Sequence, residues 1–80
     1  MVGNVVYIIV EHMIREDVRQ IKSVHATWDG TYAELNRLAN INKGADYKVL
    51  QDNITGEFRV YYPGKGLVYE YSVSTRTIEK

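Results

Sequence analysis

Apolar residues follow two different spacings along this chain. From Val5 to Ile14 β-branched and aromatic residues run with few interruptions, which is strand composition. The polar segment "REDVRQ" then turns the chain, and Ile21 to Trp28 alternates as a second strand. In "WDGTYAELNRLANINKG" the spacing becomes helical. Leu35, Leu38 and Ala39 recur on one stripe, flanked by Tyr32 or Ile41. Asp29 or Thr31 can cap this helix, Thr31 with Glu34 matches a capping box, and Gly44 stands where a left-handed terminating residue belongs. A helix of about three turns is marginal unless it packs on a sheet.

Three further strands follow the helix: "DYKVLQD", "FRVYY" and "LVYEYSVSTRTIE". They are joined by the turns "NITGE" and "PGKG", each with the glycine that a tight connection needs. The order β-β-α-β-β-β, with no linker or repeat across residues 1–80, predicts a single α+β domain. Its sheet is small, twisted and mainly antiparallel, with one short helix on one face.

Such a sheet has one covered face and one open face, so its strands should alternate apolar and polar. The first strand does not alternate: Val6, Ile8 and Val10 lie on one side, Val5, Tyr7 and Ile9 on the other. The last strand alternates better, with Leu67, Tyr69, Tyr71 and Val73 opposite Val68, Glu70, Ser72 and Ser74. Phe58, Val60 and Tyr62 alternate with Glu57, Arg59 and Tyr61. One helix cannot cover all of this. Val5, Tyr7 and Ile9 therefore predict a homo-oligomer formed through the open sheet face or an edge.

Composition narrows the function classes. Ten basic residues balance ten acidic ones, which argues against a nucleic-acid binder held by bulk charge and against an acidic DNA mimic. The absence of cysteine excludes disulfides, thiolate metal sites and cysteine nucleophiles. "VVYIIV" is short for a signal peptide or membrane span and Glu11 and His12 follow it, so the expectation is a soluble chain of the cytoplasm without membrane contact. At 45% hydrophobic residues the chain is also expected to be ordered.

Candidate chemistry is sparse. His12 and His25 lie on neighbouring strands and could meet near Glu11 or Asp29 if the register allows, but a one-residue slip separates them. Ser23, Ser72 and Ser74 lack a nucleophile-elbow context. "PGKG" lacks the length and the following Ser/Thr of a phosphate-binding loop. The expectation is no enzyme, no cofactor and no metal.

The tyrosine-rich stretch 58–71 carries the functional reading. Tyr69 and Tyr71 lie on the stripe with Leu67 and Val73 and can pack inward with wet hydroxyls. Arg59 and Tyr61 share a mixed, exposed face, and tyrosine with arginine on such a face is the composition of interaction hot spots. The expected partner-binding residues are Arg59 and Tyr61, with Tyr69 and Tyr71 joining if their hydroxyl edges reach the same surface. The alternative is stacking of a nucleotide or single-stranded nucleic acid on these tyrosines, helped by Arg59, Lys65 and Arg76. Glu57, Glu70 and Glu79 dilute the positive field that this needs.

The first half, "VVYIIVEH", an acidic loop, a strand ending "HATWDG" and the helix "TYAELNRLAN", resembles small uncharacterised bacteriophage and bacterial β-β-α-β proteins. No catalytic residue comes with that resemblance. It implies an accessory protein of a phage or mobile element that binds and modulates a host protein or defence system, an inhibitor by occupation of a surface.

Overall fold

The computed structural model describes residues 4–78. Its elements are β1 (Asn4–Met13), β2 (Val18–His25), α1 (Trp28–Gly44), β3 (Lys48–Gln51), β4 (Phe58–Tyr62) and β5 (Gly66–Ile78). All pairings are antiparallel, and the sheet order is β2-β1-β5-β4-β3. This is the expected small α+β fold. The meander β3-β4-β5 forms as expected, and β1 pairs with β5, so the two longest strands lie side by side inside the sheet.

Local chemistry sets the boundaries. β1 turns through Ile14–Asp17, closed by the Asp17 N–H donating to the Ile14 carbonyl, with Asp17 at φ 53°. Val18, Arg19 and Gln20, expected in the connection, belong to β2, because an edge strand tolerates polar residues on both faces. The helix is longer than the expected three turns. It starts at Thr27, whose Oγ1 accepts the Gly30 N–H at 3.1 Å, so neither Asp29 nor Thr31 is the cap. At the other end the left-handed residue is Asp46 (φ 66°), not Gly44.

The helix lies across one face. Ile9, Phe58, Val60 and Tyr71 from the sheet meet Thr31, Leu35, Leu38 and Ala39 from the helix, all buried. Phe58 and Tyr71 stack with centroids 4.4 Å apart. The expectation for β1 is therefore corrected in its side: Ile9 is fully buried under the helix, and Tyr7 rests against Trp28 of α1 with centroids 5.8 Å apart. Val5 stays 44% exposed, as expected, and on the other face Val6, Ile8 and Val10 are half-buried without the helix over them. A second correction comes from a register shift at Val60/Tyr61, which pairs Tyr61 with Leu67 and places Val68 beside Tyr69 against the core.

The molecule measures 51 × 24 × 16 Å. Its long axis comes from the central ribbon, since the thirteen residues of β5 span about 43 Å. β2 stops at the Tyr7↔His25 pair and β4 starts at Phe58↔Tyr71, so β1 and β5 continue beyond both neighbours as a two-stranded arm.

Candidate protein-binding surface

Alternation carries the two halves of the open face out of the same register. On β1, Val6, Ile8 and Val10 point away from the helix, opposite to Ile9. On β2 their neighbours are Val24, paired with Ile8, and Ile21, paired with Val10. A bulge between these pairs adds Lys22 to β2, so two residues three apart in sequence share one face. Ile21 is 64% exposed and Val24 55%, while Val6, Ile8 and Val10 are half-buried. Five β-branched residues thus form an apolar strip on two adjacent strands.

The other half, on β4 and β3, carries Arg59, Tyr61, Leu50 and Lys48, with Leu67 of β5 opposite Tyr61. Arg59 Nε donates to Glu70 Oε2 at 2.8 Å, a hydrogen bond that raises the guanidinium pKa further. The registers line up Arg19, His12, Glu70, Arg59 and Leu50 as one row across all five strands. Such an exposed ion pair adds little to folding. It orients Arg59 on the face instead. Beside it a groove of about 550 Å3 is lined by Leu50, Asp52, Glu57, Arg59, Glu70 and Ser72, among others.

Tyr69 and Tyr71 lie on the helix side and do not join Arg59 and Tyr61. Tyr71 is 5% exposed, and its hydroxyl donates to Glu11, itself 7% exposed. Burial, and then this hydrogen bond, push the Tyr71 pKa well up. Glu11 also accepts from Gln20 Nε2 at 2.6 Å, and Lys22 Nζ stands 4.0 Å away. Tyr71 is a core residue. Tyr69 is half-buried and lines a pocket of about 330 Å3 with Tyr47, Tyr62, Val68, Arg15 and Lys65. Tyr62, expected in the core with Phe58 and Val60, is exposed, because α1 does not reach this end of β4. The tyrosine stretch therefore divides between core, pocket rim and open face.

The histidines are apart. His25 pairs with Tyr7 and His12 with Arg19, on opposite faces of the sheet. His12 Nε2 bonds Asp17 Oδ1 at 2.9 Å, and His25 Nε2 bonds Ser23 Oγ at 2.9 Å. Among the described residues no three His, Asp or Glu side chains stand close enough to hold a metal ion. No helix among them is long and apolar enough to cross a membrane.

Two features of the surface escaped sequence reasoning. Ile21 and Val24 violate a period of two, and only the bulge reconciles them. Glu57 was read as an ordinary exposed position, but its Oε2 accepts the Val73 N–H at 2.7 Å. Compared with known protein families, curated proteins and solved structures, the chain finds no match in any of the three.

Proposed function

We propose that this chain is a non-enzymatic interaction module that binds another protein through the helix-free face of its sheet. The observation that carries this reading is the strip of Val6, Ile8, Val10, Ile21 and Val24 on the face away from the helix, with Ile21 and Val24 exposed. Exposed apolar patches rimmed by polar residues mark interaction sites. Arg59 and Tyr61 lie on the same face and supply the residue types that anchor interfaces. The resemblance of the first half to phage and bacterial proteins makes a protein of a bacterial host the first partner class to screen.

The test is selective loss. A partner captured from nuclease-treated lysate should be lost with Ile21→Lys and with Arg59→Ala, Tyr61→Ala, while both variants keep the parental melting temperature. Each truncation at an interface centre costs roughly 2 kcal/mol of binding. Ile54→Lys is the control, since Ile54 is 86% exposed in the β3–β4 loop. Capture weakened equally by Ile54→Lys is unspecific stickiness and defeats the proposal. A labelled single strand or nucleotide that binds instead, and is lost with the Arg59/Tyr61 variant, shifts the reading to nucleic-acid recognition.

A further inference from the structure

Three connections meet at one end of the sheet: the β1–β2 turn, the α1–β3 link and the β4–β5 turn. Each is tied down by a backbone bond. Ile14 N–H donates to the Val68 carbonyl at 3.0 Å, Tyr47 N–H to that of Asn42 at 3.4 Å and Lys65 N–H to that of Tyr62 at 3.0 Å. These connections bring Arg15, Tyr47 and Lys65 round the cavity of about 330 Å3 that Tyr62, Val68 and Tyr69 complete on the helix side of the sheet. The Tyr47 and Tyr62 rings stand 5.4 Å apart, tilted at 55°. Tyr62 is 43% exposed, and the Lys65 ammonium lies 5.6 Å from the centre of its ring. Ion pairs among the described residues join His12 to Asp17, Lys22 to Glu11, Arg37 to Glu34 and Arg59 to Glu70. Among these residues Arg15 and Lys65 therefore have no carboxylate in contact, and Glu16 is the one acid on the rim.

We propose that this cavity binds a nucleoside monophosphate, with the base against the Tyr62 and Tyr47 rings and the phosphate between Arg15 and Lys65. Tyrosines of a sheet stack on the flat face of any base, which fits the rings. A phosphate monoester carries nearly two negative charges at neutral pH, which fits two cations without acidic partners. Arginine grips phosphate oxygens with its planar fork, and lysine reaches them as a point charge on a flexible stem. The exposed contact of Lys65 with Tyr62 is weak, so the lysine gives up the ring face to the base and takes a phosphate oxygen instead. Size sets the limit. The cavity is at the small end of ligand pockets, with room for one nucleotide and not for a dinucleotide. It lies on the opposite face from Arg59 and Tyr61, so the proposal does not depend on the function proposed above.

Isothermal titration calorimetry with adenosine monophosphate, and in parallel with guanosine monophosphate, is the test. Adenosine and inorganic phosphate should each bind at least about tenfold more weakly than the nucleotide, since each makes only part of the contacts. Tyr62→Ala removes a stacking ring and should weaken binding by about tenfold or more. Arg15→Gln and Lys65→Gln should each weaken it by a similar factor, and added salt should weaken the parent more than either variant. All three side chains are exposed, so the variants should keep the parental melting temperature. Should Tyr62→Ala unfold, the Arg15 and Lys65 variants still decide. Ile21→Lys and Arg59→Ala, Tyr61→Ala, on the other face, should bind the nucleotide as the parent does, whether or not a protein partner is found there. A short single strand with a terminal phosphate that binds no better than the mononucleotide identifies the free nucleotide as the ligand; one that binds much more tightly identifies a strand end held in the same site. No binding of either mononucleotide at millimolar concentration overturns the proposal. Inorganic phosphate that binds as tightly as the nucleotide overturns it too, because the rings then contribute nothing. Binding lost with Arg59→Ala, Tyr61→Ala and kept in Tyr62→Ala places the ligand on the other face and overturns it as well.

Discussion

Removing one oxygen atom tests how the sheet centre is held. Tyr71→Phe keeps the ring stacked on Phe58 and leaves a hole no larger than a hydroxyl. What it removes is a hydrogen bond to Glu11, a carboxylate with little solvent to turn to. Hydrogen bonds to charged groups contribute about 1.5–3 kcal/mol net, so the variant should lose about that much. For eighty residues, total stability is about 4–12 kcal/mol, which makes the loss easy to measure.

The companion change is Glu11→Leu. It strands the Tyr71 hydroxyl but also relieves a buried charge, while exposed Gln20 can turn to water. Taken together, the two substitutions leave an apolar pair of similar shape with nothing unsatisfied. The double variant should therefore be more stable than the sum of the single losses predicts, with a coupling of about 1.5–3 kcal/mol. Urea unfolding of the four proteins, followed by far-UV circular dichroism, measures it. Additive losses would show that Glu11 and Tyr71 do not act as a pair, and a neutral Tyr71→Phe would show that water already serves Glu11.

Three further outcomes follow from the packing. Gly56 and Gly64 both have φ near +80°, so alanine strains either by about 1–2 kcal/mol, but a Cβ on Gly56 meets Tyr32 Cδ1 at 2.9 Å whereas one on Gly64 meets nothing within 4 Å. Gly56→Ala should thus lower the melting temperature clearly more than Gly64→Ala, and equal shifts would place the Tyr32 ring elsewhere. Leu35→Ala and Leu38→Ala should each cost about 2–5 kcal/mol in urea unfolding, Leu35 the more because it is completely buried; parental stability in both would remove the helix from the core. Tyr71 has a native pKa raised above its unfolded value, so its contribution is complete below the ordinary tyrosine range and is lost as pH rises beyond it. Tyrosinate absorbance should contain a component that appears only with alkaline unfolding and is missing in Tyr71→Phe; its appearance in the folded protein would contradict the buried bond.

The architecture was legible because each element carries a local signal. β-branched runs, a helical stripe and glycine turns gave the order β-β-α-β-β-β without any long-range information. What local signals cannot carry is the pairing partner of each strand. β1 looked overfilled because its neighbours were unknown; as a central strand beside β5 it buries Ile9 and shares Tyr7 with Trp28. The shift of the helix cap to Thr27 and of β2 to Val18 has a similar cause, since caps and edge strands are chosen by geometry among several acceptable residues.

The candidate surface was legible only where alternation holds. Arg59 and Tyr61 share the open face, as alternation predicts, because β4 stays regular through Tyr61 and the added residue, Val68, lies on β5. Two bulges then scramble parity: one brings Ile21 and Val24 to the same side, and the other pairs Tyr61 with Leu67 and turns Val68 toward the core. A bulge leaves little trace in composition, because the added residue needs no special chemistry; Lys22 looks like any exposed lysine. The larger, apolar half of the surface was therefore hidden, although the doubled apolar pattern of β1 showed that some face lacked cover. If that strip is the contact surface, its most exposed members, Ile21 and Val24, should dominate binding, and Arg59 with Tyr61 should set which partner fits.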